Sequence, residues 1–356
     1  MVVNNFSWNG EFKLANGGSI WHCATSTSQS HDVMKYLNLK LLRSVVLGSS
    51  LLLTGLAQSQ VVYTENFNVD PTASWTVNDP GLSDITVDFY YDYSAIGVSA
   101  APNGSGTRGL KMTANNSGGV FSGFSVSPTG QSFSGNYQLS FDMWQNYVGP
   151  LGPGGSGTTQ LSLYGIGTSG TTPIWAGSSP KESVAFGSTL DGGSASDFRA
   201  YSSAAPTSYP AGNAVYLAPG GAINNSDPYY AVFTPQSAPA AQVLLFPGQT
   251  GSTDPGETSF LWRRVVIDVV NGFASWSIDG TPLAKIDLST VTLGGGNIFF
   301  AFSDTNAGSS TDPNDFLLNV LLIDNVMVTV VPEPSSVALL GAGLALLIGR
   351  FRKPNA

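Results

Sequence analysis

Between Gln60 and Val330 the chain carries neither histidine nor cysteine; His22, His31 and Cys23 all precede Met34. Histidine is the usual general base near neutrality and the commonest transition-metal ligand. This stretch therefore holds no Ser-His-Asp or Cys-His nucleophile, no His- or Cys-based zinc site and no disulfide. Carboxylates are what remain for acid–base work, and its glutamates are Glu65, Glu182 and Glu257. Glycoside hydrolysis needs two carboxyls, about 5–5.5 Å apart for retention and about 6.5–9.5 Å for inversion. Acids on separate loops could meet in space. A glycan-active hydrolase or lyase using Asp, Glu and Tyr thus stays open beside a non-catalytic role.

Two other chemistries suit the residues present. Asp304-Thr305-Asn306 and Asp312-Pro313-Asn314-Asp315 gather acids and amides between two strand-like runs. That oxygen-rich set fits calcium, which needs no histidine, although Asp and Asn in loops also cap turns through their own backbone. Sugar binding asks for flat apolar faces that stack on the ring. Trp144, Trp175, Tyr229 and Tyr230 are the candidates, against the alternative that such rings fill the core. From Gln60 to Val330 there are 7 Lys+Arg and 20 Asp+Glu, a net charge near −13. Nucleic acids and anionic lipids need clustered cations, so neither is the expected partner.

Positioning such groups falls to strands. Helical periodicity is nearly absent from 60 to 330, and the chain holds 42 Gly and 21 Pro. Tyr137 to Tyr147 sets Leu139, Phe141 and Met143 on one face and Ser140, Asp142 and Trp144 on the other; 109–114, 120–126 and 159–166 alternate likewise. Such period-two runs between turn residues predict half-buried strands. The spacing from 262 to 286 predicts a three-stranded meander over 262–270, 273–278 and 282–286. It turns at Asn271-Gly272 and Asp279-Gly280, pairs that tolerate positive φ at both central positions. Strands at 297–303 and 319–329 complete the set. Residues 149–157 and 178–239 read as long surface loops, with strand fragments near 184–186 and 229–233.

The pattern Trp262-Arg263-Arg264-Val265, Trp276-Ser277-Ile278-Asp279-Gly280 and Leu322-Ile323-Asp324-Asn325-Val326 resembles the concanavalin A-like (laminin-G-like) family. The resemblance implies an all-β jelly-roll sandwich, with Trp262 and Trp276 in its core and glycan contacts on a sheet face or rim. It also implies a structural calcium tying the first and last strands, which would add Glu65 and Asp324 to Asp304 and Asn306. Hydrolases of this fold carry a Glu-x-Asp-x-x-Glu strand, and this chain has none.

Both ends read as address labels. Val331-Pro332-Glu333-Pro334, an apolar run to Ile348 and the basic end Arg350, Arg352 and Lys353 resemble the PEP-CTERM sorting signal. That implies an exosortase-type protease as partner, export to the surface of a Gram-negative bacterium, and association with exopolysaccharide. Prolines 332 and 334 hold the motif extended. A helix over 336–349 would span roughly 21 Å at 1.5 Å per residue, short against a hydrocarbon core of about 30 Å; a transient inner-membrane anchor is expected. At the front, Lys35, Lys40 and Arg43 precede an apolar stretch. Ala57-Gln58-Ser59 supplies small residues before Gln60, the pattern of a signal peptide for the Sec translocon and signal peptidase. The expected division is a mis-assigned extension over 1–33, a signal peptide over 34–59, a sandwich over 60–330 and a sorting tail over 331–356. A purely structural surface protein remains the third reading of the body.

Overall fold

Alternate residues of fourteen strands meet between two antiparallel sheets in the computed structural model, which describes residues 59–81, 84–116, 121–149, 160–179, 181–190, 194–304 and 314–332. The first sheet runs β12 (Thr281–Asp287), β11 (Phe273–Ile278), β10 (Arg263–Val270), β6 (Tyr137–Asn146), β14 (Val320–Val330), β4 (Arg108–Ala114) and β3 (Ile85–Asp92), and β1 (Gln60–Glu65) lies beside the far half of β14. The second runs β2 (Trp75–Asn78), β5 (Ser122–Pro128), β13 (Asn297–Asp304), β7 (Gln160–Thr168), β8 (Val184–Thr189) and β9 (Phe198–Ser202). The all-β sandwich expected from the alternation is what the ladders build.

The predicted meander forms as β10, β11 and β12. Asn271 and Gly272 turn at φ 52° and 79°, Asp279 and Gly280 at 50° and 78°. Leu139, Phe141 and Met143 face inward as their alternation requires, and Phe141 packs edge-on against Tyr164 and Phe300 with centroids 5.0 and 4.9 Å away. Trp276 stacks on Phe186 at 5.4 Å, and Trp262 and Trp276 are both core, as the resemblance implied. Each such ring removed from water contributes on the order of 2 kcal/mol.

Three local expectations change. The 178–239 stretch carries more strand than expected: the fragment near 184–186 forms and runs on to Thr189 as β8, and β9 extends the second sheet beside it. The run 229–233 is no strand but part of the 3₁₀ turn Pro228–Val232, because Pro228 presets the first turn and Asp227 accepts the Tyr229 N–H at 2.9 Å. Nor is every strand half-buried: β10 and β11 alternate as expected, but β5, β6, β7, β8 and β13 are buried along nearly their whole length. On the outer face of the first sheet, Asp142 and Trp144 lie under residues 93–107 and the short helix α1 (Ala240–Leu245). Gln242 of α1 donates to the Ile96 carbonyl at 2.9 Å and to Asn146 Oδ1 at 3.1 Å. Gly97 (φ 74°) lets the loop backbone lie directly on that helix, where any side chain would collide.

The first and last strands pair at the end of the body, Gln60 opposite Val330, and the Val331 N–H donates to the Asn136 carbonyl at 2.9 Å. The sorting residues Val331 and Pro332 thus follow directly on β14. Residues 1–33, the expected signal peptide with Ala57, the motif residues Glu333 and Pro334, the apolar run, and Arg350, Arg352 and Lys353 lie outside the described residues. Among the described residues no helix is long and apolar enough to cross a membrane.

Candidate functional site

The outer face of the second sheet is covered by the chain between β7 and β8, residues 169–179 and 181–183. Leu161, Leu163, Ala185, Tyr201, Phe299 and Ala301 form a second apolar layer there, closed by Ile174 and Trp175. Two ties hold this strap. Ile174 N–H donates to Ser125 Oγ at 3.0 Å, and Lys181 Nζ donates to the carbonyls of Ala176 (3.0 Å), Ser178 (2.5 Å) and Pro206 (2.6 Å) while lying 5.1 Å from the Tyr201 ring. Lys181 is fully buried, and desolvation lowers its pKa to about 8. A turn in which Ser178 Oγ accepts the Trp175 N–H at 3.0 Å sets the tryptophan across the sheet.

Glycine makes room for that ring. A Cβ at Gly123 below or at Gly177 above would overlap Trp175, so the indole is clamped between two bare backbones. Phe121 meets it edge-on, with centroids 4.8 Å apart and an interplanar angle of 61°. Trp175 is 7% exposed, whereas Phe121 at 40% is the one exposed aromatic side chain among the described residues. Beside Trp175 opens a cleft of about 380 Å³ lined by that ring, Pro80, Pro173, Thr168, Thr172, Ser179 and Glu182. Its size is in the range of small-ligand sites. Glu182 is exposed, and its carbonyl accepts the Gly294 N–H at 2.8 Å, which fixes the backbone at the cleft edge.

Carboxylates do converge, but elsewhere and under cover. Asp142 and Asp324 are cross-strand neighbours on β6 and β14, both buried. Asp142 accepts from Asn103 N (3.2 Å), Asn103 Nδ2 (2.7 Å), Asn325 Nδ2 (2.8 Å) and Arg264 Nη1 (3.1 Å). Asp324 accepts from Tyr93 Oη at 3.1 Å and from the Asn325 N–H at 2.6 Å. Desolvation, then repulsion from Asp142 and Glu65, pushes the Asp324 carboxyl up to about 7 against those bonds. A second pair, Asp197 and Glu257, is bridged by Asn225, whose N–H meets Asp197 at 2.9 Å and whose Nδ2 meets Glu257 at 3.1 Å. Burial raises Asp197 to about 6, and the space between the two has no room for a water. Among the described residues Glu182 is the single carboxylate lining the cleft, and they do not supply the acid pair of glycoside hydrolysis there.

Of the four aromatics read from the sequence, the structure brings only Trp175 to a cleft. Trp144 is 3% exposed under Trp262, and its Nε1 donates to Asn146. Tyr230 is wholly buried, stacked on Phe198 at 4.1 Å. Tyr229 is half-buried with its hydroxyl on the Pro282 carbonyl. Of the four expected calcium ligands, Glu65 and Asp324 share one neighbourhood and Asp304 sits at the other end of β4, where Asn115 donates to it at 3.3 Å. Register pairs Leu110 with Ile323, and the five steps along the chain from Leu110 to Asn115 span about 16 Å. Asn306 lies outside the described residues. Among these, no group of three His, Cys, Asp or Glu is placed to hold a metal, and Arg264 supplies the positive charge at Asp142. Phe121 and Lys181 went unread: a phenylalanine opening a strand looks the same whether it faces core or solvent, and nothing local marks a lysine for burial.

Residues 330–353 match the family model of the PEP-CTERM protein-sorting motif, which marks an exported protein sorted to the cell surface. No curated protein matches the chain. Among solved structures, a Bacillus subtilis protein of unknown function with a galectin-like fold is 9% identical, covers 77% of this chain and 100% of its own, and has a TM-score of 0.37. The carbohydrate recognition domain of Emp47p is 7% identical over 77% and 98%, with a TM-score of 0.39. A Bacillus licheniformis β-glucanase is 11% identical over 78% and 100%, with a TM-score of 0.33. These similarities carry no argument about activity; the sandwich rests on its own ladders.

Proposed function

We propose that this chain is an exported surface protein that binds glycans, exopolysaccharide foremost, without cleaving them, at the cleft flanked by Phe121 and Glu182. The observation that carries the reading is the Phe121–Trp175 pair. One ring is clamped by two glycines and lines a cleft that also carries Thr172 and Ser179, and the other is exposed and packs edge-on against it. An immobile aromatic wall can stack on a sugar ring at little entropic cost, and hydroxyls orient it through hydrogen bonds. A lone carboxylate at the cleft supports binding over hydrolysis, since the paired acids lie buried under other loops. In this account an exosortase-type protease processes the tail after Sec-dependent export. Affinity electrophoresis of the full chain through gels holding neutral polysaccharide tests it, together with a reducing-end assay on the same polysaccharides. Retarded migration with no new reducing ends is expected. Release of reducing ends would make the protein a hydrolase, and free migration through every polysaccharide would leave it a structural surface protein.

A further inference from the structure

Neighbouring residues 181 and 182 send their charges to opposite places. The Lys181 ammonium is turned inward and spent on three backbone carbonyls, where it is wholly shielded from solvent. The Glu182 carboxylate is turned outward at the cleft edge, and no ion pair joins the two. None of the other six Lys and Arg lines the cleft, and among the described residues Glu182 is the one charged group there. The strap that closes the apolar layer therefore also sets the sign of the cleft: the cation that could neutralise Glu182 is consumed in holding the strap down.

We infer that the cleft selects glycans by charge, favouring chains with free amino groups, such as deacetylated hexosamines, over chains bearing carboxylates. This rests on the glycan-binding reading of the same cleft. A protonated amino group placed against an exposed carboxylate gains a solvent-screened attraction, and a uronate there meets a repulsion of the same order. The net charge near −13 of the body acts in the same direction, drawing polycations and turning away polyanions. The neutral walls, Trp175, Pro80 and Pro173, with Phe121 packed against the tryptophan, would contact the apolar faces common to all hexoses, so they bind without discriminating.

The test compares three probes against the full chain by ligand-observed NMR titration: a glucosamine hexamer, an N-acetylglucosamine hexamer and an oligogalacturonate. The amino hexamer should bind about two- to fivefold tighter than the N-acetyl form, and the uronate weaker by a similar factor, the range an exposed ion pair gives. Both gaps should close in Glu182→Gln and in 1 M salt, where screening acts over about 3 Å. Equal affinity for all three probes in the wild type, or a preference that survives Glu182→Gln, overturns the charge inference while leaving glycan binding intact. Absence of binding by every probe overturns the glycan reading itself.

Discussion

Replacing Asp324 by Asn should remove a pH dependence that the wild-type fold carries. The side chain lies beside Asp142 beneath residues 93–107, and its carboxyl titrates near 7 instead of near 3.8. From pH 5 to 7 the native state therefore holds a proton that the unfolded chain has released, so stability falls as pH rises through that window. The loss is about 1.4 kcal/mol per pH unit, or about 2.7 kcal/mol between pH 5 and pH 8. Asp197, raised to about 6, adds about 1.4 kcal/mol of the same sign between pH 5 and 6. Asn keeps the shape and cannot ionise, so D324N should retain only the Asp197 portion. For a domain of this size, about 2 °C per kcal/mol converts the difference to a Tm gap near 5 °C opening between pH 5 and pH 8. Thermal unfolding followed by circular dichroism at half-unit pH steps reads it directly. If D324N and the wild type keep parallel Tm profiles across that range, the buried-carboxyl account of this corner is wrong.

Lys181→Met keeps the alkyl stem but deprives three part-buried carbonyls of their donor. It should cost about 2–4 kcal/mol and open residues 169–183 to chymotrypsin at Trp175, as mapped by limited proteolysis. Gly123→Ala places a methyl where the Trp175 ring lies. Overpacking of that kind costs about 1–3 kcal/mol, and polysaccharide retention in affinity gels should fall with it.

The sheets were legible because alternation is local. Residues 137–147 declare which side chains point to one side, and Asn271-Gly272 and Asp279-Gly280 declare where the chain reverses. The layer beyond the sheets was not, since it depends on which loop lies over which strand. Nothing in Pro173-Ile174-Trp175-Ala176 says that it will cover Gly123 and Ser125, and the outward residues of β5 and β13 carry no pattern that asks for a cover. The same blindness hides Lys181, whose partners are carbonyls that any residue type could offer. It also split the expected calcium set. The strand ends that bear Asp304 and Asp324 are close in sequence, but antiparallel pairing carries them to opposite ends of β4. Trp144 and Tyr230 show the converse, with ring types suited to sugar packed under a loop and against Phe198. Phe121 became visible as a site residue only through its exposure and its contact with Trp175.

The central claim is that the exposed ring of Phe121, braced by Trp175, is where a glycan rests. Phe121→Ala puts the least strain on that claim from other sources, because a ring 40% exposed can be removed with little loss of fold stability. Affinity electrophoresis of this variant beside the wild type, with Tm measured on both, gives the most direct answer. The account predicts unchanged Tm and loss of at least tenfold in polysaccharide retention, the range stacking of one sugar on one ring supports at about 1.4 kcal/mol. Retention equal to wild type in a folded Phe121→Ala protein would contradict it and move glycan contact away from this cleft.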